Sequence, residues 1–214
     1  STSTLSRCSI SVDVDRGAAD KPFRFPVQWV NRPNPDFRGF SGTVASGRIA
    51  VGDGVVVAAS GRQSRVSRIL GPDGDQAAAA AGEAVTVCLS DEVDVARGDL
   101  LAPLADRPEV MDQFAAHVLW MDEDALLPGR QYLARIGHLW TVASVTAIKH
   151  RVDVETLGQA PAKALKLNEI AFCNLSFARS VAFDPFANNR ATGAFVLVDR
   201  FSNRTVGAGM IGFG

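Results

Sequence analysis

The chain is poor in several things that define whole classes of protein. Cysteine occurs only at positions 8, 88 and 173 of its 214 residues. An odd, widely spaced set argues against a disulfide framework and fits a reducing cytoplasm. No apolar run approaches the roughly 18 residues that a membrane-crossing helix requires. The first twelve residues have no apolar core of the secretory kind, which excludes a leader of that type at this point. Lysine is confined to Lys21, Lys149, Lys163 and Lys166, and none of them follows a glycine. The phosphate-cradling pattern G-x-x-x-x-G-K-[ST] is therefore missing. The formal net charge is −1, with both signs spread through both halves. That balance argues against nucleic-acid binding through bulk charge.

Long helical periodicity is missing too. Ala77–Ala81 is rich in helix formers but short and glycine-flanked, and is expected to be a loop between strands. Residues 152–167 allow either a turn or two of helix or a long surface loop. What remains is a dense succession of short apolar runs rich in Val, Ile, Thr and Phe, separated by Gly, Pro, Asp and Asn. This rhythm predicts strands at 25–29, 39–46, 55–59, 65–70 and 84–89, then at 113–120, 131–136, 140–148, 169–175, 193–198 and 205–211. The polar, proline-containing segment 104–112 breaks the rhythm and is read as the domain boundary. Residues 1–17 are read as a linker or an expression-derived remnant. Residues 18–105 and 106–214 each hold five or six strands, enough to close a small barrel and remove exposed sheet edges.

His117, His138, His150, Cys88 and Cys173 lack the spacing of metal ligands. Cys88 and Cys173 lie in apolar strand runs, as buried, inert thiols do. The carboxylate groups Asp91, Glu92, Asp94 and Asp122–Asp124 read as solvated loop charge. Asp36-Phe-Arg-Gly39 matches the short D-x-x-G switch motif of GTPases, but no phosphate loop accompanies it. Prolines 26, 33 and 35 interrupt ladder hydrogen bonding, so residues 31–38 are expected to project as an exposed loop. That loop and its approach supply the candidate partner-binding residues Trp29, Asn31, Arg32, Asn34, Phe37 and Arg38, aromatic and arginine types that carry binding energy at interfaces. The bland alternative puts Trp29 and Phe37 in a barrel core. A second candidate is the polar loop Asp184-Pro-Phe-Ala-Asn-Asn-Arg-Ala-Thr-Gly193, whose asparagines serve turns in the simpler reading.

Val27-Gln-Trp-Val-Asn-Arg-Pro33 with Asp36-Phe-Arg-Gly-Phe40 closely resembles the large, GTPase subunit of bacterial sulfate adenylyltransferase (ATP sulfurylase). Asp91-Glu-Val-Asp-Val-Ala-Arg-Gly-Asp99, Asn189-Arg-Ala-Thr-Gly-Ala-Phe195 and Thr205-Val-Gly-Ala-Gly-Met210 resemble later parts of the same family, so the likeness covers about residues 13–211. It implies an all-β chain of two tandem translation-factor-like β-barrels, of the kind that form the second and third domains of elongation factor Tu. It implies a parent that uses GTP, ATP and Mg, pairs with a small catalytic subunit, and makes adenosine 5′-phosphosulfate and pyrophosphate from ATP and sulfate. Some members add an adenylylsulfate kinase domain. No GTPase or catalytic motif lies within these residues, so no catalytic, cofactor or metal residue carries over. The expected role is a non-catalytic, cytoplasmic scaffold docking its own GTPase domain and the small subunit. The alternative from a different class is an RNA-binding module gripping a tRNA end.

Overall fold

A computed structural model describes residues 17–34, 37–153 and 158–212. Cys8, Pro35 and Asp36 lie outside them. One short 3-10 turn, Ala18–Asp20, precedes the strands. The strands of the N-terminal half are β1 Phe25–Asn34, β2 Phe37–Thr43, β3 Arg48–Ala50, β4 Gly54–Val57, β5 Gln63–Gly71, β6 Gly74–Gln76, β7 Ala78–Ala80, β8 Ala84–Leu89 and β9 Leu100–Pro103. Those of the C-terminal half are β10 Glu109–Trp120, β11 Gln131–Ile136, β12 Leu139–Val152, β13 Gln159–Ala160, β14 Ile170–Phe183, β15 Ala194–Val198 and β16 Thr205–Ile211.

Both halves close on themselves. The first ring runs β4-β9-β1-β2-β8-β5 and returns to β4 through the β4–β5 ladder, with β6 appended to β5. The second runs β11-β15-β16-β10-β14-β12 and closes through β11–β12, with β13 appended. The ladders within both rings are antiparallel. The all-β barrel architecture read from the sequence is the one observed. Alternation places the core: along β14, Ala171, Cys173, Leu175 and Phe177 point inward, while Ile170, Phe172, Asn174 and Ser176 point out. Each ring encloses its own apolar cluster, one around Phe25, Val27, Ile69, Val87 and Leu101, the other around Phe114, Trp120, Leu175, Phe183 and Phe195. Each fully buried side chain of this kind contributes about 1.5–3 kcal/mol relative to exposure.

Three expectations change. Residues 31–34 and 37–38 lie in strands and do not form the expected projecting loop: Asn31 to Asn34 end β1, and Phe37 and Arg38 begin β2. Pro33 is tolerated because the β1–β2 register shifts between Asn31 and Asn34, so the missing N–H falls in an irregularity rather than in the regular ladder. Ala78–Ala80 is a strand, not a loop, because β3 lies opposite and pairs with it. Residues 158–167 contain no helix; Gln159–Ala160 extends β12 and Leu165 bridges to Leu126, with both leucines fully buried. Between β3 and β4 the Gly52-Asp53-Gly54 sequence turns as its composition requires: Gly52 takes φ +94°, and Asp53 Oδ2 accepts the Ala50 N–H at 2.8 Å.

Candidate functional site

The β1–β2 hairpin forms one wall of a cleft of about 310 Å³ on the first barrel. Arg32, Phe37 and Arg38 line it together with Phe40, Arg68 and Asp91, so the structure brings half of the predicted residues to one place. Trp29, Asn31 and Asn34 do not line it. Trp29 is 62% exposed, which removes the reading of it as core; Phe37 is half-buried. Gly39 permits this packing. A Cβ there would run into the Thr86 methyl and sit 3.0 Å from the Phe37 ring, so only glycine lets the ring fold back over β2.

Arg38 is held loosely. Its guanidinium lies 5.5 Å from the Phe40 ring centroid and 3.7 Å from the carboxylate of the exposed Asp94. Its Nε is buried without an acceptor. Asp91 is fixed instead: Ser64 and Ser90 hydroxyls donate to Oδ2 at 2.7 and 3.1 Å, which holds the carboxyl below its ordinary range. At the rim Arg68 forms a forked pair with Asp75 at 2.6 and 2.9 Å. Burial pushes the Cys88 thiol up, and no histidine lines the cleft to deprotonate it. The arrangement offers guanidinium and aromatic contacts to a ligand surface.

The second candidate loop has a different task. Asp184, Asn189 and Thr192 are buried, and the first two reach the first barrel. Arg24, 2% exposed, donates Nε and Nη2 to the two Asp184 oxygens at 2.9 and 2.8 Å. The same guanidinium donates to the Asp106 carbonyl at 2.9 Å and to its carboxylate at 3.2 Å. Thr192 Oγ1 donates to Asp184 Oδ2 at 2.6 Å, and Asn189 Nδ2 to Ser46 Oγ at 2.8 Å. Burial alone lowers the arginine's proton affinity, but the hydrogen bonds and charges of Asp184 and Asp106 outweigh it, and the group stays charged. Arg24 escaped the sequence reading. The available signal was a charge set between Phe23 and Phe25 in a run that otherwise enters the core.

Other candidates disperse. Asp122 Oδ1 accepts the Asp124 N–H, a loop bond. His117 and His150 pack on opposite sides of Phe172 in the register. Among the described residues no group of three or more His, Cys, Asp or Glu side chains is gathered as a metal site. No helix among them is long and apolar enough to cross a membrane.

Comparison with known proteins adds the evolutionary setting. Residues 113–212 match the family described as GTP-eEF1A C-terminal domain-like. Bifunctional enzyme NodQ of Rhizobium sp. (strain N33) is 56% identical over 201 residues, covering 94% of this chain and 31% of NodQ. Bifunctional enzyme CysN/CysC of Xylella fastidiosa (strain Temecula1) is 54% identical over 202 residues, 94% of this chain and 32% of that protein. Sulfate adenylyltransferase subunit 1 of Aeromonas salmonicida (strain A449) is 48% identical over 201 residues, 94% of this chain and 43% of the subunit. The chain thus spans about a third to two fifths of these relatives. The crystal structure of sup35 complexed with GDP superposes with a TM-score of 0.81 over 91% of this chain and 48% of that one, at 18% identity, which speaks to the fold alone.

Proposed function

As a homologue of sulfate adenylyltransferase subunit 1 and of the bifunctional NodQ and CysN/CysC enzymes, this chain is, we propose, the paired-barrel region of such a large subunit. The observation that carries the reading is identity of 48–57% over 92–95% of the chain. In this reading residues 18–105 and 106–214 are the two barrels. They dock the parent's GTPase domain and the small catalytic subunit in the cytoplasm, while ATP and sulfate become adenosine 5′-phosphosulfate and pyrophosphate elsewhere in the assembly. GTP, ATP and Mg do not fit this chain's own residues. It has no phosphate loop. An adenylylsulfate kinase belongs to the bifunctional parents in the same proposal.

The hairpin cleft is the proposed contact with the small subunit, through Arg32, Phe37 and Arg38, with Trp29, Asn31 and Asn34 on the surrounding strand surface. Aromatic and arginine side chains are the residues whose truncation costs most at interfaces. Calorimetric titration of the chain with the small subunit is expected to give binding that Arg32→Ala or Phe37→Ala weakens about tenfold, or 1.4 kcal/mol each. Titration with GTP is expected to give no heat. Micromolar GTP affinity, or unchanged small-subunit binding in both variants, defeats the assignment. A tRNA gel shift that weakens steeply with salt is the signature of the RNA-binding alternative.

A further inference from the structure

The cleft on the first barrel sets two like charges against each other. In the β1–β2 ladder Asn31 pairs with Gly39 and Asn34 with Phe37, so Arg32 and Pro33 together stand opposite Arg38. Arg32 and Arg38 both line the cleft. Like charges directly opposite each other on paired strands are destabilising. The chain does little to offset that repulsion. Among the described residues Arg32 forms no ion pair. Arg38 approaches Asp94 at 3.7 Å, but that carboxylate's side chain is 93% exposed. The Arg38 Nε is buried without an acceptor, so the cost of desolvating this donor is not repaid within the chain.

Other charges of the lining are already engaged. Arg68 is forked to Asp75, and the Ser64 and Ser90 hydroxyls hold Asp91. Asp91 and Glu92 are the carboxylates of the lining, set against the guanidiniums of Arg32, Arg38 and Arg68, so the cleft keeps a positive excess. An oxyanion between Arg32 and Arg38 would accept from both and cancel their repulsion. A guanidinium presents its N–H groups as a planar fork, which matches two oxygens of a carboxylate or a sulfate. The Phe40 ring steadies the Arg38 end of such a site, and the Ser67 hydroxyl adds a neutral donor to its lining. At about 310 Å³ the cleft is at the small end of ligand sites, which suits a free ion or a short organic acid.

We infer that the cleft between Arg32 and Arg38 is a binding site for a small, free oxyanion of the sulfate or carboxylate type. It is the cleft proposed above to meet the small subunit, but its anion chemistry is tested on this chain alone, so failure of either reading leaves the other standing. The probes are sodium sulfate and sodium acetate, each titrated at fixed ionic strength with chloride as the balancing ion. The Arg38 Nε–H signal in a nitrogen-correlated NMR spectrum is expected to move saturably with at least one of them. Arg32→Gln is expected to weaken that apparent affinity about fivefold or more, since it removes one of the two guanidiniums. Arg62→Gln, at an exposed position outside the cleft, is expected to leave it unchanged. Urea denaturation separates a ligand site from a structural pair. Without either probe Arg32→Gln is expected to match or exceed the parent's midpoint, because the repulsion is gone. With the probe it should gain less than the parent, because a bound anion stabilises the chain that binds it. Saturation by sulfate alone assigns a tetrahedral ion and by acetate alone a carboxylate; either supports the site. Saturation by neither probe, or equal affinity in Arg32→Gln, overturns it. Shifts shared equally by the other exposed arginines mean an adventitious ion only, and overturn it too. So does a lower midpoint for Arg32→Gln without probe, which would make Arg32 a structural residue.

Discussion

In the first barrel β5 turns Arg65, Ser67 and Arg68 to solvent; in the second β14 turns out Ile170 and Phe172, and β10, β15 and β16 add Leu119, Val196 and Met210. The interiors differ as well. The first barrel is filled mainly by valine, on strands of up to 10 residues. The second uses strands of up to 14 residues around stacked rings, with Phe114 4.7 Å from both Phe177 and Phe183. Both rings satisfy their backbone groups by closure, so neither difference is demanded by the fold. The short-stranded barrel carries a charged cleft. The long-stranded one turns more apolar side chains outward. Ring closure explains what the barrels share, and the outward residues are where they differ.

The sharpest way to break the pairing of these unlike barrels is through Arg24. Removing one member of a buried, hydrogen-bonded ion pair strands the other, at a cost of about 3–5 kcal/mol. Arg24→Ala leaves Asp184 inside the junction without its fork, so a loss of that size is expected in urea denaturation, with the single transition splitting as the barrels uncouple. Arg24→Met with Asp184→Leu removes both charges and is expected to recover most of the loss, because no orphaned ion remains. A loss below about 1 kcal/mol for Arg24→Ala would mean that the close approach of Gly98 to Leu139 and the Asn189–Ser46 hydrogen bond hold the junction without it.

What the sequence made legible follows from the range of the forces involved. Strand positions and the barrel class were readable because alternation and β-branched content are local. Arg32, Phe37 and Arg38 were readable as a group because a hairpin brings its two arms together. The missed strand Ala78–Ala80 is alanine-rich and forms only because Arg48–Ala50 lies opposite. Arg24 was missed for the same reason. Its meaning comes from Asp184, 160 positions away, and no local pattern marks a residue whose partner is supplied by the other barrel.

A smaller effect separates the cleft from the rest of the surface. Gly39→Ala forces a methyl group against Thr86 and the Phe37 ring, overpacking of a kind that costs about 1–3 kcal/mol. The displaced ring is expected to weaken any ligand of the cleft as well. Gly212→Ala, at the end of the second barrel, meets nothing within 4 Å and is expected to stay within about 0.5 kcal/mol of the parent. Equal urea midpoints for the two variants would show that Phe37 moves freely, and that the cleft is less built than its contacts imply.

The least effect expected is one of pH, and it belongs to the second barrel. Asp199 accepts the N–H groups of Ser202 and Phe201 at 2.9 and 3.0 Å, the Ser202 hydroxyl at 3.0 Å, and Arg130 at 2.6 Å. The Ser202 N–H leads these in drawing the carboxyl down from 3.8 to about 2. A carboxylate with a lowered folded-state value stabilises the fold above its unfolded value and loses that contribution as the pH falls through the folded one. Asp199→Asn keeps the side chain's shape but not its charge. The parent's lead over this variant in urea midpoint should therefore hold steady above about pH 5 and shrink between about pH 4 and 2. A lead that stays constant or widens on acidification would place the loop's stability in backbone geometry alone. The second barrel would then owe no more to this buried carboxylate than the first owes to its exposed Arg68–Asp75 pair.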